Sequence, residues 1–284
     1  MLKEPKTFEE QIKILESRNI SINDKEYCKS VLERLNYYRL TAYMLPFKLD
    51  NGLYIEVEFE KIYNIYEFDR KLRSLLILVL EEIELSLRTK LAYYHAHKFG
   101  ALGYLDKDNF NNKHNHNKFI SQFDKIVDKN QDNLFVKHHI DKYEKKFPIW
   151  VAVELFPFGM LSRFYADMTI EDKKIIAKKY FDVGMEQLES WLLCISTLRN
   201  RCAHYMRLYY YNFKKYPKMK KEDIIPKTLK IFDLIYIIRY CYCDASKWES
   251  SFIVNLETLI EEYTESINLE HIGFPIDWHK KLTK

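Results

Sequence analysis

Glycine and proline are scarce: six Gly and seven Pro in 284 residues leave too few turn formers for the many short connections of an all-β protein. Leu, Ile, Glu and Lys fill long stretches instead, which predicts an all-α fold. The five cysteines (Cys28, Cys194, Cys202, Cys241, Cys243) are odd in number and form no CxxC pair, so neither a disulfide framework nor a zinc ribbon is indicated and a reducing compartment fits. Long apolar runs are missing too. The longest, Leu75 to Leu80, falls far below the roughly 20 residues of a membrane helix, and the start MLKEPKTFEEQ has no apolar signal core. A soluble, cytoplasmic protein without a membrane partner is expected. No GxGxxG, GxxxxGK[ST] or HExxH string occurs, and the carboxylates stand at helix-surface intervals rather than in a cluster. Nucleotide triphosphate chemistry and two-metal hydrolysis lose ground, so neither metal nor cofactor is expected.

What is present suffices for a sizeable core, since 47% of the residues are hydrophobic and the length suits one large domain or two small ones. The first fifty residues read as two helices, one capped by Thr7 and the next by Asn23 or Asp24. Pro46 and the turn Asp50-Asn51-Gly52 close that unit, and LYIEVEF reads as a short extended stretch. A helical pattern then runs from about Glu60 to His97, apolar around most of its circumference in LRSLLILVLEEIEL, which predicts a central buried helix. Glu84 and Arg88 stand four apart on it and can pair. From Gly100 to Phe147 the composition turns to Asn, Lys, Asp and His, as in a surface insertion or mobile lobe with helix around Phe119 to Val127. Helical spacing returns at PIWVAVELFPFGMLSRFY. The expected division is an N-terminal segment 1–57 and a helical domain 58–284 that carries an insertion at about 100–147, together one compact unit.

The net charge of +4 is unevenly spread. Between Arg199 and Lys230 ten Lys or Arg stand against Glu222 and Asp223, a balance of +8, whereas the residues after it carry −4. Tyr205, Tyr209, Tyr210, Tyr211, Phe213 and Tyr216 interleave the basic stretch, so stacking faces lie beside phosphate-binding charges. A solvated lysine loop with its tyrosines partly in the core has the same composition. The pairs His95 and His97, His114 and His116, and His138 and His139 fall short of the three or four converging ligands of a metal site, and read as solvated polar residues.

The basic stretch opens with WLLCISTLRNRCAHYMRLYY, Trp191 to Tyr210. On a wheel of about 100° per residue, Leu188, Trp191, Leu192, Ile195, Leu198, Cys202 and Met206 form one apolar stripe, which makes Cys202 a core residue rather than a nucleophile. Asn200, His204 and Arg207 fall together on the opposite face, while Arg199 lies about 140° from His204. Such a face also describes ordinary solvent surface. Its chemistry nevertheless suits RNA, which carries its own nucleophile in the 2′-hydroxyl. Cleavage then needs a proton-transfer group, for which His is suited, and a cation for the transition state, for which Arg is suited. One His is short of an acid and base pair, and a symmetric dimer would supply two.

Arg199-Asn200-Arg201-Cys202-Ala203-His204 matches the Rx4H motif of HEPN-superfamily ribonucleases, with its favoured Asn after the Arg. Over most of its length the chain resembles the Abi family of bacterial abortive-infection proteins, of the AbiD and AbiF type. The resemblance is carried by LNYYRLTAYMLPF, YEFDRKLRSLLILVLEEIELSLRTKLAYY, PIWVAVELFPFGMLSRFY, LRNRCAHYMRLYY and GFPIDWHK, in that order. It implies an all-α HEPN-like helical bundle with an N-terminal helical extension, a composite site across a homodimer, and metal-independent cleavage leaving a 2′,3′-cyclic phosphate. It further implies an anti-phage toxin, associated in AbiF-like members with a structured noncoding RNA that binds and restrains it. By this likeness Arg199 and His204 take the catalytic places, with Asn200 as polar partner.

Arg207 joins the expected RNA-binding set from the wheel, together with Arg201, Lys214, Lys215, Lys218, Lys220 and Lys221. Two other classes of function stand beside the endoribonuclease. One is a noncatalytic RNA-binding protein that holds a structured noncoding RNA, and the other is a helical adaptor whose polar face is a dimer contact.

Overall fold

The computed structural model describes residues 4–283, so the first three residues of segment 1–57, and with them part of the leader reading, lie outside the described residues. The described residues are predominantly helical, 66%, with two short strands, in keeping with the scarcity of turn formers. Helix α1 (Phe8–Glu16) starts in a capping box, with the Glu10 amide donating to Thr7 Oγ1 and the Thr7 amide donating to Glu10 Oε2. That reciprocal pair satisfies two orphan donors. Asp24 caps α2 (Lys25–Arg34) and Asn36 caps α3 (Tyr37–Thr41). The expected turn forms at Gly52, whose φ of 86° suits a residue without Cβ, and an isolated antiparallel bridge joins Lys48 to Tyr54. The extended stretch shrinks to β2 (Val57–Glu58), paired in parallel with β1 (Ile20–Ser21).

The helix predicted from Glu60 to His97 is α4 (Phe59–Phe99), 41 residues ending at Gly100 with φ 79°. Leu72, Leu76, Leu80, Leu87 and Leu91 are fully buried along it, each worth about 2 kcal/mol of apolar burial. Its opposite side is not buried, since Leu78 and Leu85 remain largely exposed.

The segment after Gly100 is a packed lobe rather than a mobile one. Helix α5 (His116–Lys129), capped by Asn115, lays Phe119, Phe123 and Val127 inward at spacing four, and α6 (Leu134–Tyr143) adds Val136. Phe123 meets Phe147 edge-on at 5.7 Å, and the Tyr104 hydroxyl donates to the Phe147 carbonyl at 2.7 Å. Two histidines are not solvated either, one in this lobe and one before it. His114 is buried with Nδ1 3.0 Å from Asp167 Oδ2, and its ring stacks on Phe110. In α4, His95 is fully buried among Phe99, Phe110 and Phe164.

The short α7 (Ile149–Ala152) breaks at Pro157 before α8 (Phe158–Asp167) and α9 (Ile170–Phe181). Helix α10 (Met185–Ala203) packs chiefly on α8, α4 and α9. After a long loop, α11 (Ile231–Cys241) and α12 (Ala245–Lys247) follow; α12 runs through a π-helical stretch, Trp248–Ile253, into α13 (Val254–Glu262), and α14 (Trp278–Leu282) closes the chain. One buried cluster runs from Ile12 to Leu282. Among the described residues, no helix is long and apolar enough to cross a membrane.

Candidate active site

Helix α10 buries Leu188, Trp191, Leu192, Ile195, Leu198 and Cys202, the stripe expected from its spacing. Burial also pushes the Cys202 thiol up to about 12, so its thiolate is suppressed at neutral pH. The helix ends earlier than the wheel assumed. His204 is its C-cap, Tyr205 takes a left-handed φ of 56°, the Tyr205 amide donates to the Cys202 carbonyl and the Met206 amide to the Arg201 carbonyl. This is the Schellman arrangement, which usually recruits glycine. No glycine marks it here, so two expectations are corrected. Met206 leaves the apolar stripe and is 47% exposed, and Arg207 lies beyond the helix rather than on a face with Asn200 and His204.

The turn is held from outside. Arg39 donates from Nη1 to the strained Tyr205 carbonyl at 2.7 Å, and Arg207 donates from Nη1 to the Ala42 carbonyl at 2.9 Å. Arg201 lies 3.4 Å over the Tyr211 ring and donates to the Arg207 carbonyl. Burial lowers the pKa of both Arg201 and Arg207 from the ordinary arginine value. These two arginines therefore stitch the turn rather than stand free in solvent.

Beneath them Asp69 of α4, fully buried, accepts from the amides of Leu208 and Tyr209 and from the Tyr43 hydroxyl at 2.6 Å, and pairs with Arg73. Burial pushes its carboxyl up from the ordinary value, opposed first by the Arg73 charge and then by these hydrogen bonds.

Arg199 is fixed by a different carboxylate. Its Nε donates to Glu84 Oε2 at 3.0 Å, while Glu84 Oε1 accepts from Arg88 at 2.6 Å, as the spacing of four predicts. Arg88 also reaches the Phe156 carbonyl at 3.1 Å. Glu84 is buried, whereas the Arg199 side chain keeps 34% exposure, so its guanidinium is oriented by one edge and reachable from the other. Sequence reasoning saw the Glu84 and Arg88 pair but not this third member, 115 residues away.

His204 and Asn200 are exposed. His204 opens on a hollow of about 590 Å³ lined by Asn36, Tyr38, Arg39, Tyr205, Met206 and Arg207 among others. A second hollow of about 520 Å³, around Arg70, Arg73, Ile77 and Ala203, shares Arg39 and Tyr205 with it. Neither hollow is lined by Arg199 or Asn200, so within one chain the two motif side chains face different spaces. Arg39 and the 85% exposed Tyr38 had no signal beyond their place in NYYRLTAY.

The lysine stretch runs back along α10, away from His204. The Lys215 carbonyl faces Cys194 Sγ, the Lys218 carbonyl accepts from Trp191 Nε1 at 2.7 Å, and the Met219 carbonyl accepts from Gln187 at 3.0 Å. Gln187 and His204 are about 25 Å apart along the helix rise. Lys214, Lys215 and Lys221 are exposed, Lys218 pairs with Glu186, and Lys220 lies 4.2 Å over Tyr240. Among the described residues, no group of three His, Cys, Asp or Glu could hold a metal ion.

The family described as Abi-like protein matches the chain over residues 30–210. The match includes Arg39, Glu84, Arg199 and His204 and stops before the lysine stretch. No curated protein and no solved structure matches.

Proposed function

The chain belongs to the Abi-like family, whose name points to abortive infection and anti-phage defence, and from that premise we propose that it is a metal-independent endoribonuclease of the HEPN type, acting as a growth-arresting toxin. The observation that carries the reading is the division of labour at the end of α10: Arg199 is clamped by Glu84, while five residues on His204 is exposed at the rim of an arginine-bearing hollow. In the proposed reaction the 2′-oxygen attacks the adjacent phosphorus and the bond from phosphorus to the 5′-oxygen breaks. One His204 takes the proton of the 2′-hydroxyl, and a protonated second one gives a proton to the departing 5′-oxygen. Arg199 stabilises the charge gathering on the phosphoryl oxygens, and Asn200 is its polar neighbour. The products are a 2′,3′-cyclic phosphate and a 5′-hydroxyl.

Two copies of His204 require two chains. Leu78 and Leu85 on α4 and Leu193, Thr197 and Asn200 on α10 are exposed, and a second copy would pack on surface of this kind. RNA would then run between the paired hollows, with Arg39 at its phosphates. The exposed lysines Lys214, Lys215 and Lys221, with Lys218 and Lys220, would hold a second stretch of RNA, such as a structured noncoding RNA that restrains the toxin.

The test compares wild type and His204→Ala on labelled RNA in excess EDTA, with product ends mapped. Cyclic phosphate ends from wild type alone are expected. Equal cleavage by the variant would refute the role of His204. Tight binding without cleavage by either protein would favour the second reading, a noncatalytic RNA holder, for which the lysine stretch set apart from His204 already speaks.

A further inference from the structure

The lobe after Gly100 carries a second concentration of cations, separate from the end of α10. A hollow of about 640 Å³ lies between α5 and the first turns of α8. Lys118, Gln122 and Lys125 line one wall at spacings of four and three, one face of α5; Lys113 stands before that helix and Arg163 faces it from α8. All four cations are exposed, and none forms an ion pair with another described residue. The acidic residues of α5 do not neutralise them: Asp124 and Asp128 turn to Lys145, at 3.8 and 3.2 Å. Like charges gathered around a cavity, with the available carboxylates engaged elsewhere, repel one another unless an anion joins them.

The backbone favours the same occupant. The N-terminus of α8 has no side-chain cap among the described residues; the Met160 amide turns back to the Pro157 carbonyl at 2.8 Å, which leaves the Gly159 amide as a donor on this rim. A Cβ added at Gly159 would meet nothing within 4 Å, so the first turn opens directly onto the space. One lining carboxylate, Asp167, is mostly buried and bonded to His114. It supplies a hydroxyl acceptor at the edge of a cationic cavity, a combination that fits a sugar phosphate better than inorganic phosphate alone. The volume lies within the range of small-molecule sites, about 300–1,000 Å³.

We infer that this hollow is a binding site for a ribose phosphate, in which Lys113, Lys118, Lys125, Arg163 and the start of α8 receive the phosphate and Asp167 accepts from a sugar hydroxyl. The same chemistry is offered by a nucleotide within RNA and by a free mononucleotide. The site is independent of cleavage at His204.

Binding is measured on the full chain carrying His204→Ala, in EDTA, by fluorescence anisotropy with a labelled 12-nucleotide RNA and, separately, with a labelled guanosine monophosphate. The triple variant Lys118→Glu, Lys125→Glu, Arg163→Glu is expected to weaken at least one probe tenfold or more. If RNA is the ligand, the slope of log affinity against log salt falls by about 2, at about 0.7 per phosphate contact on a single strand. Gly159→Phe, which fills the hollow without changing charge, should weaken the same probe. Lys107→Glu, Lys129→Glu, Lys137→Glu, an equal charge change on exposed lysines of the same lobe, should cost less than threefold. Weakening of the RNA probe alone assigns an RNA strand, and weakening of the monophosphate assigns a free nucleotide. The inference is overturned if wild-type cavity residues bind neither probe, if the triple variant binds both unchanged, or if the control triple loses as much. Because His204 is absent throughout, failure of the cleavage reading leaves this result standing, and the reverse also holds.

Discussion

Glu84→Gln separates what the buried carboxylate does for the fold from what it does for Arg199. The side chain keeps its shape and loses its charge, and its amide nitrogen cannot accept, so of the two hydrogen bonds received from Arg88 at 2.6 Å and Arg199 at 3.0 Å one keeps a neutral acceptor and the other loses its acceptor. Removing one partner of a fully buried ion pair costs about 3–5 kcal/mol. Here the arginine side chains keep 16% and 34% exposure, so water recovers part of their charge and about 2–3 kcal/mol is expected. For a chain of this size that lowers the melting temperature by about 4–8 °C. With its tether weakened, Arg199 samples other rotamers, and the rate in single-turnover cleavage of labelled RNA should fall about 10- to 100-fold, equivalent to about 1.4–2.7 kcal/mol of transition-state stabilisation. KM should stay within about twofold, since the role assigned to Arg199 is exerted in the transition state. Arg199→Ala should lose more, and adding Glu84→Gln to it should slow the reaction no further. A Glu84→Gln protein that melts lower yet cleaves at the wild-type rate would refute the positioning role, and so would additive losses in the double variant.

Asp69→Ala leaves Arg73 and the amides of Leu208 and Tyr209 without their acceptor, and urea unfolding should show a loss of about 3–5 kcal/mol; a loss below about 1 kcal/mol would mean that the turn is held without it. Among the described residues His95 has no hydrogen-bond partner at either ring nitrogen, and burial pulls its pKa down to about 4. Between pH 6.5 and 4 the unfolded chain gains a proton that the folded one refuses, so stability falls by about 3 kcal/mol as the pH drops. Thermal melts of His95→Phe should lack that part of the decline, and an unchanged pH dependence would contradict it. Tyr38→Ala should weaken RNA affinity by about 1–3 kcal/mol if a base stacks on this 85% exposed ring, with no change in melting temperature, and equal affinity would remove the ring from the RNA path.

The long α4, the buried stripe of α10 and the cap at Thr7 were legible because periodicity and capping chemistry act over three or four residues. The end of α10 was not. A left-handed C′ position is normally read from glycine, and here Tyr205 occupies it because Arg39, 166 residues away, bonds its carbonyl. One missed stop carried Met206 and Arg207 onto a helix they do not join. The lobe misled for a related reason: its polar composition hides Phe119, Phe123 and Phe147, whose ring partners, Tyr104, Phe156 and Phe164 among them, stand well apart in sequence. Glu84 was visible as the partner of Arg88 four residues on, but Arg199 lies 115 residues downstream, and the Leu208 amide that Asp69 accepts from lies 139 residues downstream of it.

The charge count shows why composition alone overstates the candidate site. Of the ten cations between Arg199 and Lys230, Arg199 is neutralised by Glu84 and Lys218 by Glu186, while Arg201 donates to the Arg207 carbonyl and Arg207 to that of Ala42. Around the two hollows Arg70 is paired with Glu67 and Arg73 with Asp69. Among the described residues Arg39 and Arg207 have no carboxylate partner, and each donates to a carbonyl that carries only a partial charge. An anion arriving beside His204 therefore meets two guanidiniums already oriented by bonds that do not cancel them. That is preorganisation of positive charge, obtained by anchoring a strained turn. The contact of Arg39 with Tyr205 and that of Arg207 with Ala42 thus also leave two oriented guanidiniums at the hollow, which links the unusual end of α10 to the chemistry proposed for it.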